Sequence, residues 1–288
     1  MDEPPLRRPT YEQAHRRRLL ALILFGVVAG VVVWAAWGAV KRNDSTLPKS
    51  RTTTAPPPKI IKILFPEGFT RAQMAVRAGR RSPTITERGY LAETAASTLP
   101  GRFAGDGKPR SLEGLLFPAT YDLYETDPVS RLVGKQLDAF RLGWARVTLG
   151  YARSKNLTPY DVLIIASMIE REVVVPSERP LVAAVIYNRL HARIPLGIDA
   201  TLRYGLGIPP TRAIRKRDLD SNSPYNTRKF RGLPPTPIAN PGLASMQAAA
   251  HPAKVGYLYF VRKPDCRSHF FTASAAEFDA YTRKGLTC

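Results

Sequence analysis

Cysteine and histidine are scarce in this 288-residue chain: two of the first, Cys266 and Cys288, and four of the second, with no CxxC spacing and no His-rich tract. That pattern argues against a cysteine-built zinc site and against thioredoxin-type redox chemistry, and it gives no support to a metal centre. If the bulk of the chain lies outside the cytoplasm the two cysteines can pair; two free thiols fit the sequence equally. Acidic residues are also few, 23 Asp and Glu against 43 Lys and Arg, for a net charge of +20. The basic residues are scattered over the N-terminal segment and the 71–80 and 211–231 stretches rather than gathered in one tract. A surface of this kind suits a polyanion, whether nucleic acid, anionic lipid or wall polymer, and charge alone does not choose among them; simple solvated arginine is the other reading. No internal repeat is present, and the 44% apolar content is that of a chain able to build a core.

Long hydrophobic runs are also lacking, with one exception. Leu19 to Val40, LLALILFGVVAGVVVWAAWGAV, carries no charge, and about 22 helical residues at about 1.5 Å each match a hydrocarbon core of about 30 Å. The run predicts a membrane span. A cleaved signal peptide competes, because small residues occur near Ala36 and Ala39, but its apolar region would be only about 7–15 residues long. Arg7, Arg8, Arg16, Arg17 and Arg18 precede the run while Lys41 and Arg42 follow it, so the positive-inside rule places residues 1–18 in the cytoplasm and the rest outside. Trp34 and Trp37 suit the interfacial belt. Residues 41–58, ending TTTAPPP, read as an extended tether.

Past the tether, Lys59–Leu64 reads as a short strand and Thr70 as the cap of a helix from about Arg71. Residues 83–110 carry another capped helical pattern and a Gly-rich turn region, and Leu112–Leu123 reads as extended structure broken by Pro118. Pro128–Ser154 approximates a helical period. Thr158, Pro159 and Asp161 form a capping box with an N1 proline, after which DVLIIASMIERE is apolar all round, the pattern of a buried helix. Ser177 reads as the cap of a second helix to about His191. Residues 207–243 are crowded with Gly, Pro, Asn and Ser, a long irregular region of the kind that builds site walls. Leu243–His251 reads as a helix, Tyr257–Val261 and His269–Thr272 as strands, and Ala275–Arg283 as a terminal helix.

Glu170 lies at the end of the buried helix behind Ile164, Ile165, Met168 and Ile169. A carboxyl among apolar groups is destabilised as the anion and stays protonated near neutral pH, as a general acid requires. The alternative is that Glu170 belongs to a charged last turn, ERE, where the helix leaves the core. Glu172 points to a different side of the helix and cannot flank the same bond, so it reads as structural or solvated. Asn188 and Asp199 are candidate substrate ligands, and each also fits a cap or turn. A Ser167, His251 and Asp199 triad is conceivable, but no nucleophile elbow surrounds Ser167. Nucleic-acid binding lacks any recognised motif, and a membrane span would leave the basic groups outside the cytoplasm.

Eight pieces then occur in one order over about residues 60–282: FPEGFT (65–70), EGLLFPATY (113–121), ASMIERE (166–172), SERPLVAAVIYNRL (177–190), LGIDATLRYG (196–205), SPYNTRKFRGLPPTPIANPG (223–242), SMQAAAHPA (245–253) and YLYFV (257–261). With these the chain resembles the YceG-like endolytic murein transglycosylases, the MltG family. The resemblance implies an α+β fold: an N-terminal transmembrane helix at 19–40, a small LysM-like subdomain at 59–110 and a larger catalytic domain at 111–288. It implies lytic cleavage of the MurNAc–GlcNAc β-1,4 bond, leaving a 1,6-anhydro-MurNAc end without consuming water. The catalytic glutamate falls within ASMIERE, at Glu170, with Asn188, Asp199, Thr201, Tyr225, Asn226 and Thr227 around the cleft. No metal or organic cofactor is implied. Peptidoglycan glycan strands are the expected substrate and a peptidoglycan polymerase an expected neighbour, at the outer face of the cell membrane; nucleic acid is not an expected partner. Two departures stand out: Gly197 and Ala200 replace a glutamine and a proline that many members carry around the aspartate, and 79–110 is short for the LysM-like unit. The rival expectation is a non-catalytic wall-binding scaffold of the synthesis machinery.

Overall fold

The apolar run lies inside one 33-residue helix, α1 (Tyr11–Asn43). The computed structural model describes residues 11–43, 58–95, 103, 111–285 and 287, and the chain divides into two compact units, Met1–Pro57 and Pro58–Cys288. Described side chains of α1 are limited to Arg16 and 22–38, and they are exposed, Trp34 at 79% and Phe25 at 76%. Among the described residues no helix is long and apolar enough to cross a membrane. Most of the tether, at 44–57, and the Gly-rich turns around 101–107 lie outside the described residues, Phe103 excepted.

The second unit is a mixture of helices and two small sheets. Strand β1 (Ile60–Leu64) leads to α2 (Arg71–Arg81) and α3 (Glu87–Glu93), and β2 (Thr120–Tyr124) returns antiparallel to β1 with Ile63 opposite Tyr121. Alternation along the pair buries Ile63, Tyr121 and Leu123 on one face. Thr70 closes a capping box with Gln73 at the start of α2, whose Met74, Ala75 and Ala78 are buried. Residues 112–119, expected as extended, form turns; Gly114 at φ +88° has Pro237 against it where a Cβ would stand, so only glycine fits. Because β1 lies within 59–110 and β2 beyond it, and the two share one sheet, the piece on each side of position 110 contributes to one core.

Helix α4 (Val129–Trp144) ends earlier than its periodicity suggests, and a break separates it from the short α5 (Gly150–Ser154). Helix α6 (Pro159–Glu172) runs as read: Thr158 and Asp161 cap each other's backbone N–H groups, Pro159 takes the first turn, and every residue from Val162 to Ile169 is buried. It packs between α7 (Arg179–His191) and α10 (Leu243–Ala250), whose Ser245 and Ala248 to Ala250 are small and buried and so let the helices approach closely. Ser177 is not the cap of α7; it sits in a 3-10 turn, Pro176–Glu178, that delivers Glu178 to the start of the helix. Two short helices were not legible in advance, α8 (Asp199–Gly205) and α9 (Lys216–Leu219). The hairpin of β3 (Tyr259–Arg262) and β4 (His269–Thr272) and helix α11 (Ala275–Arg283) complete the unit. Cys266, between these strands, is disulfide-bonded, the outcome the sequence left open.

Three distant segments are tied by Asn240, which is fully buried. Its Oδ1 accepts from the N–H groups of Gly114 and Leu116, both at 2.9 Å, and its Nδ2 donates to Phe69 O and to Glu113 Oε1 at 3.0 and 2.8 Å. Its backbone continues the seam, with Asn240 N donating to Phe69 O and Gly68 N to Asn240 O.

If α6 is the packing axis, Ile165→Ala should cost roughly 2–5 kcal/mol of unfolding free energy and Thr158→Ala about 1 kcal/mol. Urea denaturation read by far-ultraviolet circular dichroism checks both, and equal losses at the two sites would contradict the assignment.

Candidate functional site

A cleft of about 1150 Å³ opens between the first turn of α2, the end of α6, α8 and the β3–β4 hairpin. Its lining is basic, with Arg71, Arg171, Arg189, Arg203, Arg228 and Arg262 against three acids, Glu113, Glu172 and Asp199. Most of these arginines are held by backbone carbonyls: Arg189 by Leu258, Pro195 and Leu196, Arg203 by Pro209 and Arg212, Arg171 by Gly68, and Arg262 by Glu172. Neutral partners fix the guanidinium groups without cancelling their charge.

The carboxyl that α6 presents to this cleft is Glu172. It is half-buried at the last position of the helix, and loss of water around it pushes its pKa up to about 7. Arg262 opposes that rise most, Asp199 adds to it, and the Ala200 N–H and Arg171 oppose it further. Glu170, expected as the acid, is not among the lining residues. Its Oε2 accepts from Gly242 N at 3.1 Å, and its Cγ packs near Gly68. Glu67 also lies against Gly242, and its pKa is raised by desolvation first and by Glu170 second, with Arg179 opposing. Two residues along a helix is a turn of about 200°, so the end of α6 sends one carboxyl into the FPEG–Gly242 junction and the other into the cleft.

Glu113 is the second strongly shifted acid of the cleft. It is 2% exposed, and burial raises its pKa to about 7 against the pull of the Arg71 N–H, Tyr204 and Asn240. Both of its oxygens take the Arg71 N–H, at 2.9 and 3.1 Å, and Tyr204 donates to Oε2 at 3.1 Å. The first turn of α2 and Tyr204 of α8 are thereby held on either side of one carboxyl.

Of the other expected site residues, Asp199 lines the cleft, where it pairs with Arg228 at 2.6 Å. The rest build the walls. Asn188 donates to Val255 O and Tyr257 O, both at 2.9 Å, holding the approach to β3. Thr201 and Thr227 are buried and share a hydrogen bond at 2.9 Å, and Thr227 Oγ1 accepts from Ile198 N, which fixes the turn into α8. Asn226 is fully buried and closes its own loop on Leu219 O and Ser221 O. Tyr225 bonds Thr236 and packs its ring on Tyr204. The conceivable triad does not assemble: Ser167 Oγ is buried between Ile164 O and Ile238 N, while His251 is bonded to Thr148. Glu113, Tyr204 and Arg262 were passed over, and Glu172 was read as structural or solvated. For Glu172 the missing signal was which side of an all-buried helix meets open space, since apolar periodicity is silent when every face is covered.

A sequence model of the YceG-like family matches residues 44–284. The endolytic murein transglycosylase of Bacillus subtilis 168 is 39% identical over 152 residues, covering 53% of this chain and 42% of the relative. That of Streptococcus pneumoniae R6 is 31% identical over 238 residues, covering 75% and 43%. The chain therefore spans less than half the length of these curated relatives. A crystal structure of a yceG-like protein from Listeria monocytogenes superposes with a TM-score of 0.66 at 29% identity, covering 76% of this chain and 75% of that one. The family model spans the residues that build the cleft and the packing around α6, and on that ground the chain belongs to the YceG-like family.

Proposed function

We propose that the chain is a membrane-anchored lytic transglycosylase of peptidoglycan whose acid is Glu170. The observation that carries the reading is the place of Glu170 within ASMIERE at the end of the buried helix α6, half-buried where that helix meets the FPEG turn and Gly242, in a family whose curated relatives bear that activity in their names. A carboxyl can serve proton transfer in both directions. As the acid, Glu170 gives its proton to the glycosidic oxygen while the bond from that oxygen to the MurNAc anomeric carbon breaks through an oxocarbenium-like transition state. The carboxylate left behind takes the proton of the same sugar's 6-hydroxyl as that oxygen bonds to the anomeric carbon. The proton is returned, no water enters, and a 1,6-anhydro end remains. One carboxyl completes the cycle. Asp199 and Tyr204 stand on the α8 side of the cleft, where polar groups can orient sugar hydroxyls. The fixed arginines favour anionic substituents on the strand.

In the same reading α1 is the anchor. It presents an apolar surface that only lipid or protein would cover, with the N-terminus cytoplasmic and the second unit outside, beside a peptidoglycan polymerase whose growing strand it would cut. The order β1–α2–α3–β2 over 60–124 is read as the small LysM-like subdomain, with its end at β2 instead of Arg110.

The test is digestion of nascent peptidoglycan strands by the full chain in detergent, with products weighed by mass spectrometry. Glu170→Gln should lower the yield of anhydro-MurNAc ends at least about 100-fold. A larger loss in Glu172→Gln with Glu170→Gln near the parent yield would move the role to Glu172, and strand binding without cutting by the parent would favour a scaffold. For the anchor, the chain should stay with membranes through alkaline carbonate extraction, and a chain lacking residues 19–40 should not.

A further inference from the structure

The cleft holds a carboxyl that the reaction above does not use. Glu172 is half-buried in the lining and takes the Ala200 N–H, and among the described residues it forms no ion pair. The neighbouring guanidinium groups are directed elsewhere: Arg262 donates to the Glu172 carbonyl at 3.3 Å and Arg171 to the Gly68 carbonyl at 3.1 Å. Asp199 faces Glu172 from α8, so two acids meet on one side of the cleft. A partly desolvated carboxyl without a counter-charge is unfavourable, and a cation brought by a ligand would be favoured at Glu172. Arginine is placed for the opposite charge. Arg228 bonds Asp199 through Nε, which leaves the two terminal nitrogens of its fork for another partner, and it stands near Arg189, whose pKa is lowered by burial first and by Arg228 as well. Two like charges held together favour an anion beside them.

The rest of the lining narrows the ligand. Arginines outnumber acids six to three, and one of the acids, Glu113, is already engaged by the Arg71 N–H, Tyr204 and Asn240. Between the charges lie apolar side chains, among them Leu196, Ile198, Ile208 and Phe260. A bare polyanion would meet Glu172 and Asp199 as like charges, and a neutral sugar would leave the arginines unused. A short peptide with several carboxylates, one free ammonium and small apolar groups meets every part of the lining. At about 1150 Å³ the cleft exceeds the roughly 300–1,000 Å³ of a small-molecule pocket, which leaves room for such a peptide. The MurNAc unit carries one on its lactyl group, and before cross-linking it includes a diamino acid whose distal amine is free.

The reach agrees. Glu170 and Glu172 leave the same helix end about 200° apart, and a helix is about 10–12 Å across its side chains, so the two carboxyls stand on the order of 10 Å apart. Three extended peptide residues span about 10 Å. Arg171, between the two in sequence, lines the cleft and is bonded to Gly68, against which Glu170 Cγ packs, so the cleft begins one residue from the acid. We propose that the cleft is a subsite for the peptide stem of the MurNAc whose bond is cut, with Glu172 receiving the ammonium of the diamino acid and Arg228 a carboxylate. The subsite thereby reads whether that amine is free. Cross-linking turns the ammonium into an amide, which a carboxylate holds less strongly, and strands not yet cross-linked are the better substrate.

The inference rests on the transglycosylase reading, with a MurNAc bond cut at Glu170, and binding of the free stem separates the two. The full chain in detergent is titrated by calorimetry with the synthetic tripeptide N-acetyl-L-Ala-γ-D-Glu-meso-diaminopimelate, whose acetyl group stands for the lactyl amide, and with the same peptide acetylated also at the distal amine. The parent should bind the first about 10-fold more tightly than the second. Glu172→Gln should lose that difference, and Arg228→Gln should weaken both peptides about 10-fold while keeping it. In strand cutting, acetylation of the stem amines should raise KM about 10-fold with kcat little changed. Equal binding of the two peptides by the parent, or binding of neither at millimolar concentration, would overturn the subsite with no variant needed. A folded Glu172→Gln chain that keeps the 10-fold difference would overturn it as well. A parent that binds the free-amine peptide preferentially yet cuts no strand would sink the catalytic reading and leave the subsite standing, and one that cuts strands without distinguishing the peptides would do the reverse.

Discussion

The cleft exists because a buried polar seam joins parts of the chain that have no covalent reason to meet. Asn240 satisfies the N–H groups of Gly114 and Leu116, the Phe69 carbonyl and one oxygen of Glu113, while Glu113 takes the Arg71 N–H and the Tyr204 hydroxyl. In a buried setting each unmade bond costs about 1–3 kcal/mol, so the network is close to all-or-none: the three segments meet in this register or they separate. That sets where α2 begins, and the first turn of α2 is one wall of the cleft. A purely apolar interface would hold the same pieces together but would tolerate sliding. Directional bonds remove that freedom.

Helix α6 supplies the second constraint. Its capping box and N1 proline fix where it starts, and its length then fixes where its last turn emerges. At that turn Glu170 and Glu172 are separated by rotation, and each finds a different chemical setting, one accepting from the Gly242 N–H beside Glu67, the other facing the arginines of the cleft. Glycine at 242 is what allows the first of these, because a Cβ there would meet the Glu67 carboxyl. The Glu170 contact thus ties the end of α6 to the start of α10, and so steadies the turn that carries Glu172.

How far the sequence alone reached follows from the same physics. Features written in local chemistry were legible: the Thr158–Asp161 box, the Thr70 cap, the buried run of α6, the terminal hairpin and helix, and the order of family motifs. Features set by tertiary contact were not. Asn188, Thr201, Asn226 and Thr227 sit in motifs that shape the cleft, and their side chains turn to nearby carbonyls, hydroxyls and N–H groups, a choice that depends on loop paths no periodicity encodes. Glu172 was set aside on the argument that two residues apart on a helix point to different sides. The geometry was right; it left open which of the two sides was solvent-filled.

The charge imbalance of the composition takes on a function at this point. A carboxyl taken out of water rises in pKa, and with burial alone it would remain protonated and serve as an acid only; a nearby cation pulls it back. Glu172 stands between these opposing effects, with burial raising it and Arg262 and Arg171 lowering it, and it comes out at about 7. Arginine suits the task because it keeps its charge when partly buried and can be fixed by carbonyls without being neutralised. The surplus of Lys and Arg that looked uninformative in the composition therefore includes, at the cleft, the charges that oppose the effect of burial on one carboxyl.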